Sequence, residues 1–213
     1  KLVLQIVLWV AIVVLVYLNY KAIYGPVEFN KEKEKRYAQV IKKMDKIRKA
    51  QLAHRDVTGK FTGSFDSLTQ FIDTAEFTLT QRRDTSYLDK EYLKTYGVDK
   101  MVEDVVIDTL GTVMVKDSLF SNYDYSKLEI VPTTEDKKFE MKSGYVTVNK
   151  NRVPVFEANV NKSIILEGLD PELIIQEKQT ISVDGVNGPY IKVGSMDEVD
   201  TSGNWPINYG KQE

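Results

Sequence analysis

Side chains able to carry chemistry are few in this chain of 213 residues. It has one histidine, His54, set between Ala53 and Arg55 on a basic stretch, and no cysteine. Disulfides, thiolate metal sites and cysteine nucleophiles are therefore ruled out within the chain, and no triad can be drawn around a pair of histidines. His54 reads as a surface or packing residue. The His-Glu-x-x-His zinc pattern, the Gly-x-x-x-x-Gly-Lys phosphate loop and the Gly-x-Gly-x-x-Gly turn are all missing. Asp184 and Asn187, among glycines, offer oxygens to calcium, but they lack the ligand spacing of a calcium loop and read better as a sheet turn. Carboxylates are numerous enough to pair across a glycan cleft, yet nothing in the sequence singles out a pair. The expectation is no catalytic, cofactor-binding or metal-binding residue.

The elements that must position any site begin with an apolar run. Residues 2–18 are interrupted only by Gln5, with Lys1 before the run and Lys21 after it. As a helix, residues 2–20 measure about 28 Å, close to the hydrocarbon thickness of a bilayer. Trp9, Val10, Ile12, Val13, Val14 and Leu15 leave no polar face, which argues against a buried helix of a water-soluble domain. Tyr17, Tyr20 and Tyr24 suit the headgroup level and Lys21 can snorkel to it, while Gln5 offers an amide to a neighbouring helix. Asn19-Tyr20-Lys21-Ala22 offers no small-residue cleavage site, so an uncleaved single-pass anchor over 1–24 is expected in preference to a secretory signal.

Gly25-Pro26 is expected to break the helix as a hinge, with Asn30 capping a second helix over about 31–56. Tyr37, Val40, Ile41, Met44 and Ile47 recur there at spacings of three and four, and Thr58-Gly59 stops the pattern. Residues 31–60 carry eleven Lys/Arg against four acidic residues, a net charge of +7, which leaves −9 for the remainder of a chain of net charge −2. The basic face, with Lys42, Lys43, Lys46, Arg48 and Lys49, is either a solvated helix face or one attracted to anionic lipid. No nucleic-acid partner is expected. Stalk and hinge together span 25–60.

A head over 61–213 follows. Ser64 caps a short helix in which Phe65, Leu68, Phe71 and Ile72 face one way, and Asp89 to Tyr96, ended by Gly97, reads as another. Strand patterns occupy 77–80, 105–107, 112–115, 127–131, 139–141, 145–148, 153–156, 180–183 and 190–193, with Asp108-Thr109-Leu110-Gly111 as a hairpin turn. The expected fold is α+β: a transmembrane helix, an amphipathic stalk helix and a mostly antiparallel, β-rich head. Tyrosines at 87, 92, 96, 123, 125, 145, 190 and 209 either fill the head's core or mark an interface, and Trp205 beside Pro206 is a candidate partner contact.

Ile47-Arg48-Lys49-Ala50-Gln51-Leu52-Ala53, Thr58-Gly59-Lys60-Phe61 and Ser64-Phe65-Asp66-Ser67-Leu68, following an apolar helix, resemble the plan of type IV pilins and type II pseudopilins. The Phe-Thr-Leu-x-Glu signature of those proteins is missing from Lys1-Leu2-Val3-Leu4-Gln5, and Gly25-Pro26 interrupts the helix continuity that a filament core uses. Over its whole length the chain resembles a family of single-pass Bacteroidota envelope proteins, through residues 47–67, Val183-Asp184-Gly185-Val186-Asn187-Gly188, Val193-Gly194-Ser195-Met196 and Ser202-Gly203-Asn204-Trp205-Pro206. That resemblance implies the inner membrane of a Gram-negative cell with the head in the periplasm.

The expected function is a non-enzymatic structural or assembly subunit of a multi-protein trans-envelope complex. Its expected partners are inner-membrane proteins of that complex, the lipid bilayer and, through self-association, its own copies. The alternatives are an accessory subunit of an ion-driven envelope motor serving TonB-type transport or type IX secretion, a self-assembling pseudopilin-like secretion subunit, and an enzyme acting on cell-wall glycan.

Overall fold

The computed structural model describes residues 2–121, 123–183, 185–206 and 209; Lys1 and Asp184, both used in the sequence reading, lie outside them. In chain order the elements are α1 (Leu2–Thr58), α2 (Phe65–Thr74), β1 (Glu76–Leu88), α3 (Lys90–Tyr96), β2 (Met101–Met114), α4 (Val115–Phe120), a 3₁₀ turn (Tyr125–Lys127), β3 (Glu140–Val148), β4 (Asn151–Asn161), α5 (Lys162–Ile165), α6 (Pro171–Gln179) and β5 (Tyr190–Gly194). The fold is α+β, and every pairing between these strands is antiparallel.

The expected hinge does not form. Gly25 and Pro26 lie inside α1, which runs unbroken through 57 residues, and Asn30 is an interior residue of it. Proline removes one i→i−4 hydrogen bond, here the one to Ala22, and crowds that carbonyl. Strong helical segments on both sides outweigh this local penalty. Residues before Pro26 form a long apolar run, and those after it carry the stripe that packs into the fold. The stripe is as read: Tyr37, Val40, Ile41, Met44 and Ile47 are all buried, with Phe29 before them and Ala50 and Ala53 after. Gly59, at φ +77°, ends the helix and donates its N–H to the Arg55 carbonyl at 2.7 Å.

By internal contacts the chain divides into Lys1–Leu68 with Tyr125–Glu213, and Thr69–Asp124; the division falls within α2. In the first unit β3, β4 and β5 form a sheet in that order, and α1 lies against β5. Phe156, Ala158, Val160, Ile191 and Val193 alternate along their strands and are buried on one face, and Val155 and Asn159 of β4 are buried on the other. Asn149 and Lys150, at φ 49° and 70°, join β3 to β4 in a two-residue turn. Gly194, at φ +77°, sits where a Cβ would strike the Phe156 carbonyl oxygen, so only glycine fits.

The second unit is built on one antiparallel ribbon. β1 and β2 pair from Glu76↔Met114 to Leu88↔Met101, and α3 connects their far ends. Asp89 caps α3 by accepting from the Tyr92 N–H, and Gly97, the stop expected from the sequence, closes it in the left-handed region. Asp108 to Gly111, in contrast, is not a hairpin turn. It lies within β2, where Thr80 pairs with Thr109 and Leu79 with Gly111, leaving Leu110 as the extra residue of a β-bulge.

Two other strand expectations fail. Leu128 and Val131 are buried three residues apart beside a 3₁₀ turn, and only Ile130 makes an isolated bridge, to Lys138. Residues 180–183 form no strand: Ser182 N–H bonds Asn187 Oδ1 at 2.8 Å, closing the segment on itself, and Ile181 remains exposed.

Candidate interaction surfaces

The N-terminal part of α1 is uncovered. Every side chain from residue 2 to residue 24 is exposed, Trp9 at 67% and Tyr17 and Tyr20 at similar levels. Its most apolar 18-residue window has a mean hydropathy of 2.5. The helix is long and apolar enough to cross a membrane once, a test that a secretory signal also passes. Tyr20 and Tyr24 stack with ring centres 4.4 Å apart, and Asn19 returns its amide to the Leu15 carbonyl at 2.8 Å. Gln5 and Lys21 also sit on this exposed stretch.

Further along α1, basic residues work inward. Lys33 Nζ donates to Glu177 Oε2 at 2.9 Å, Arg36 donates to the Ile165 and Glu167 carbonyls at 3.1 and 2.9 Å, and Lys43 donates to the Ile130 carbonyl at 2.6 Å. Lys49 and Arg48 both reach Asp45, at 2.9 and 4.0 Å. Burial, with repulsion from Lys49 and Lys42, lowers the Lys46 pKa. Lys42 and Lys49 remain exposed. At about 1.5 Å per residue, Lys42 lies roughly 27 Å and Lys49 roughly 38 Å beyond Tyr24 along the helix.

Glu177 is the centre of a buried polar cluster that the sequence did not reveal, because its members are far apart in the chain. Lys162 is fully buried and donates to Glu177 Oε1 and the Glu177 carbonyl, both at 3.0 Å, and to the Val186 carbonyl at 2.6 Å. Tyr37 hydroxyl donates to the same Oε1 at 3.4 Å. Burial holds the Lys162 pKa below the usual lysine value against the opposing pull of Glu177. Burial, then the Glu177 carboxylate, drives the Tyr37 pKa far up, and burial chiefly pushes Tyr209 up to about 12. All three ammonium protons of Lys162 are used, so the cluster is a structural clamp between α1, α6 and the loop at Val186.

A second clamp holds the end of α1. Gln51 donates to the Thr62 carbonyl at 2.7 Å and accepts the Thr62 N–H at 3.1 Å. His54 Nδ1 lies 2.6 Å from the Lys60 carbonyl, a contact that requires the proton on Nδ1. His54 is thus a packing residue that fixes the turn at Gly59. Trp205 is half-buried, and its indole lies against Gly203 instead of standing free; Pro206 beside it is also half-buried.

The ribbon differs from all of these surfaces. None of the residues of β1 or β2, all of them described, is buried. Leu79, Val105, Ile107 and Leu110 are exposed, Ile107 and Leu110 at 66% each. The head's tyrosines, read as either core or interface, include none that is buried: Tyr87, Tyr96, Tyr145 and Tyr190 are exposed, and Tyr92, Tyr123, Tyr125 and Tyr209 are half-buried. Tyr92 and Tyr96 pack with ring centres 4.6 Å apart, and Lys100 Nζ stands 4.8 Å from the Tyr92 ring centre.

The first unit carries clefts on its surface. One of about 700 Å³ lies between residues 25–35 of α1 and Gly168 to Asp170, one of about 480 Å³ lies beside His54 and Ser143, and one of about 450 Å³ lies on the polar sheet face around Glu157, Asn159 and Lys192. Among the described residues, no group of three or more His, Asp or Glu is placed to hold a metal. Compared with protein-family models, curated proteins and solved structures, the chain finds no match.

Proposed function

We propose that this chain is a membrane-anchored, non-enzymatic assembly subunit of a multi-protein trans-envelope complex, held in an inner membrane by residues 2–24 with its folded part in the periplasm. The observation that carries the reading is the ribbon. An isolated two-stranded sheet is marginal in water, and this one extends through thirteen paired positions without burying either face. Its two outer edges present unpaired backbone groups, and apolar residues stand exposed among them, a combination that suits a segment completed by a partner.

The uncovered apolar helix supports the membrane attachment. The unbroken α1 also changes the reading of the basic stalk. With the span ending near Tyr24, Lys42 to Lys49 lie several times the ~8 Å screening length from the bilayer surface, so attraction to anionic lipid is not what they supply.

A second reading is a self-assembling, pseudopilin-like subunit. The continuity of α1 favours it, since the hinge that counted against a filament core is not there. The two readings differ in the identity of the partner. Recovery of the intact chain in mild detergent, followed by identification of what accompanies it, tests both. Other proteins lost on Val105→Asp with Ile107→Asp support the assembly subunit, copies of the same chain alone support the self-assembling one, and a lone monomer contradicts both.

A further inference from the structure

Where α1 passes from its uncovered part to its packed part, one side of the helix forms a wall of the 700 Å³ groove. Glu28, Lys31, Glu32 and Lys35 recur at spacings of three and four on that side, and Phe29, Leu169 and Asp170 complete the lining. Gly25 opens its N-terminal end, where even an added Cβ would meet nothing within 4 Å. Glu28 lies about 6 Å and Lys31 about 10 Å beyond Tyr24 along the axis, and long lysine side chains can reach back toward an interface. The groove is therefore at headgroup height, given the reading that residues 2–24 span a bilayer, on which this inference rests.

Its charges are arranged for a ligand carrying both signs. Glu32 is committed to Arg36 at 2.9 Å and is only 3.9 Å from Lys35. Glu28 and Lys31 have no ion pair with any described residue. Asp170 gives one oxygen to the Glu172 N–H at 2.9 Å and keeps its remaining acceptor capacity. Two ammonium groups, on Lys31 and Lys35, and two carboxylates, on Glu28 and Asp170, thus face one cavity, with Phe29 and Leu169 as apolar neighbours.

We infer that this groove binds the headgroup of a phosphoethanolamine lipid. The lysines take the phosphate and the carboxylates take the primary ammonium, whose three N–H donors suit acceptor-only groups. A choline headgroup has no N–H to donate. A glycerol headgroup has no cation for Glu28 and leaves the groove's carboxylates facing an anion.

The test uses the full chain in nanodiscs of phosphatidylethanolamine, phosphatidylcholine and phosphatidylglycerol in equal parts, transferred to mild detergent, with retained lipids counted by native mass spectrometry. Retention of phosphatidylethanolamine should exceed that of each competitor on the order of tenfold, the discrimination that one charge-assisted hydrogen bond can supply. Glu28→Gln and Lys31→Gln, at side chains without an ion-pair partner among the described residues, should each bring retention towards parity without changing the thermal transition. Equal retention in the native chain, or preference for phosphatidylglycerol, overturns the inference alone. Failure of the chain to enter any nanodisc overturns the membrane reading together with it.

Discussion

Glu177 receives hydrogen bonds from Lys33, Tyr37 and Lys162, so one carboxylate ties the stalk part of α1 to α5 and α6. Removing one partner of a buried pair leaves the other charge uncompensated, a cost of about 3–5 kcal/mol. Lys162→Met should therefore lower stability by an amount at or somewhat below the bottom of that range, since Lys33 still faces the carboxylate, and chemical denaturation of the detergent-solubilised chain measures it. A loss below about 1 kcal/mol, the scale of an exposed pair, would show that the cluster is open to water.

The phenols beside it set the alkaline limit. Tyr37 is raised far above its ordinary value and Tyr209 to about 12, whereas an unfolded tyrosine titrates near 10. Their contribution is present in full below about pH 10 and is lost as pH rises through the folded values, because the unfolded chain gives up those protons first. Stability should fall above pH 10, and Tyr37→Phe should flatten that fall. An unchanged slope would show that Tyr37 does not carry the effect. At Gly194 the left-handed backbone and the Phe156 carbonyl exclude a side chain, so Gly194→Ala should cost about 1–3 kcal/mol by the same denaturation measurement, the range for a strained residue.

At the scale of elements, continuity of α1 is the finding with the widest consequences. A cysteine-free chain allows spin labels at residues 20 and 35 without background. An unbroken helix places their Cα atoms about 22 Å apart. Dipolar spectroscopy should return one narrow distance near that value, and a broad or bimodal distribution would restore the hinge at Gly25-Pro26.

What was legible in the sequence had local causes. The stripe of Tyr37, Val40, Ile41, Met44 and Ile47, the cap at Ser64 and the stops at Gly59 and Gly97 each follow from spacing or from one residue's backbone preference. Pro26 misled because its penalty is local, whereas the helical segments on either side are sustained over many residues. Asp108 and Gly111 misled because the residues that favour a turn also favour a bulge. The clamp at Glu177 and the register of the ribbon join distant residues, and no pattern along the chain announces either.

At the scale of the whole molecule, the chain has an uncovered apolar helix, a stalk that Lys33, Arg36 and Lys43 staple to its own fold, and a ribbon with no buried residue. On the proposed function, the surfaces completed by others lie at two places, in the bilayer and along the ribbon. The single histidine, His54, is used to fix the turn after α1. The most direct test places a photoreactive amino acid at Ile107, exposed on the ribbon, in the intact chain within its native membranes. Illumination should give a discrete higher-mass adduct in the membrane fraction, absent when the photoreactive group is moved to the buried Val193. A chain that stays uncrosslinked from Ile107 and from neighbouring exposed positions of both strands would contradict the claim that the ribbon is an assembly surface.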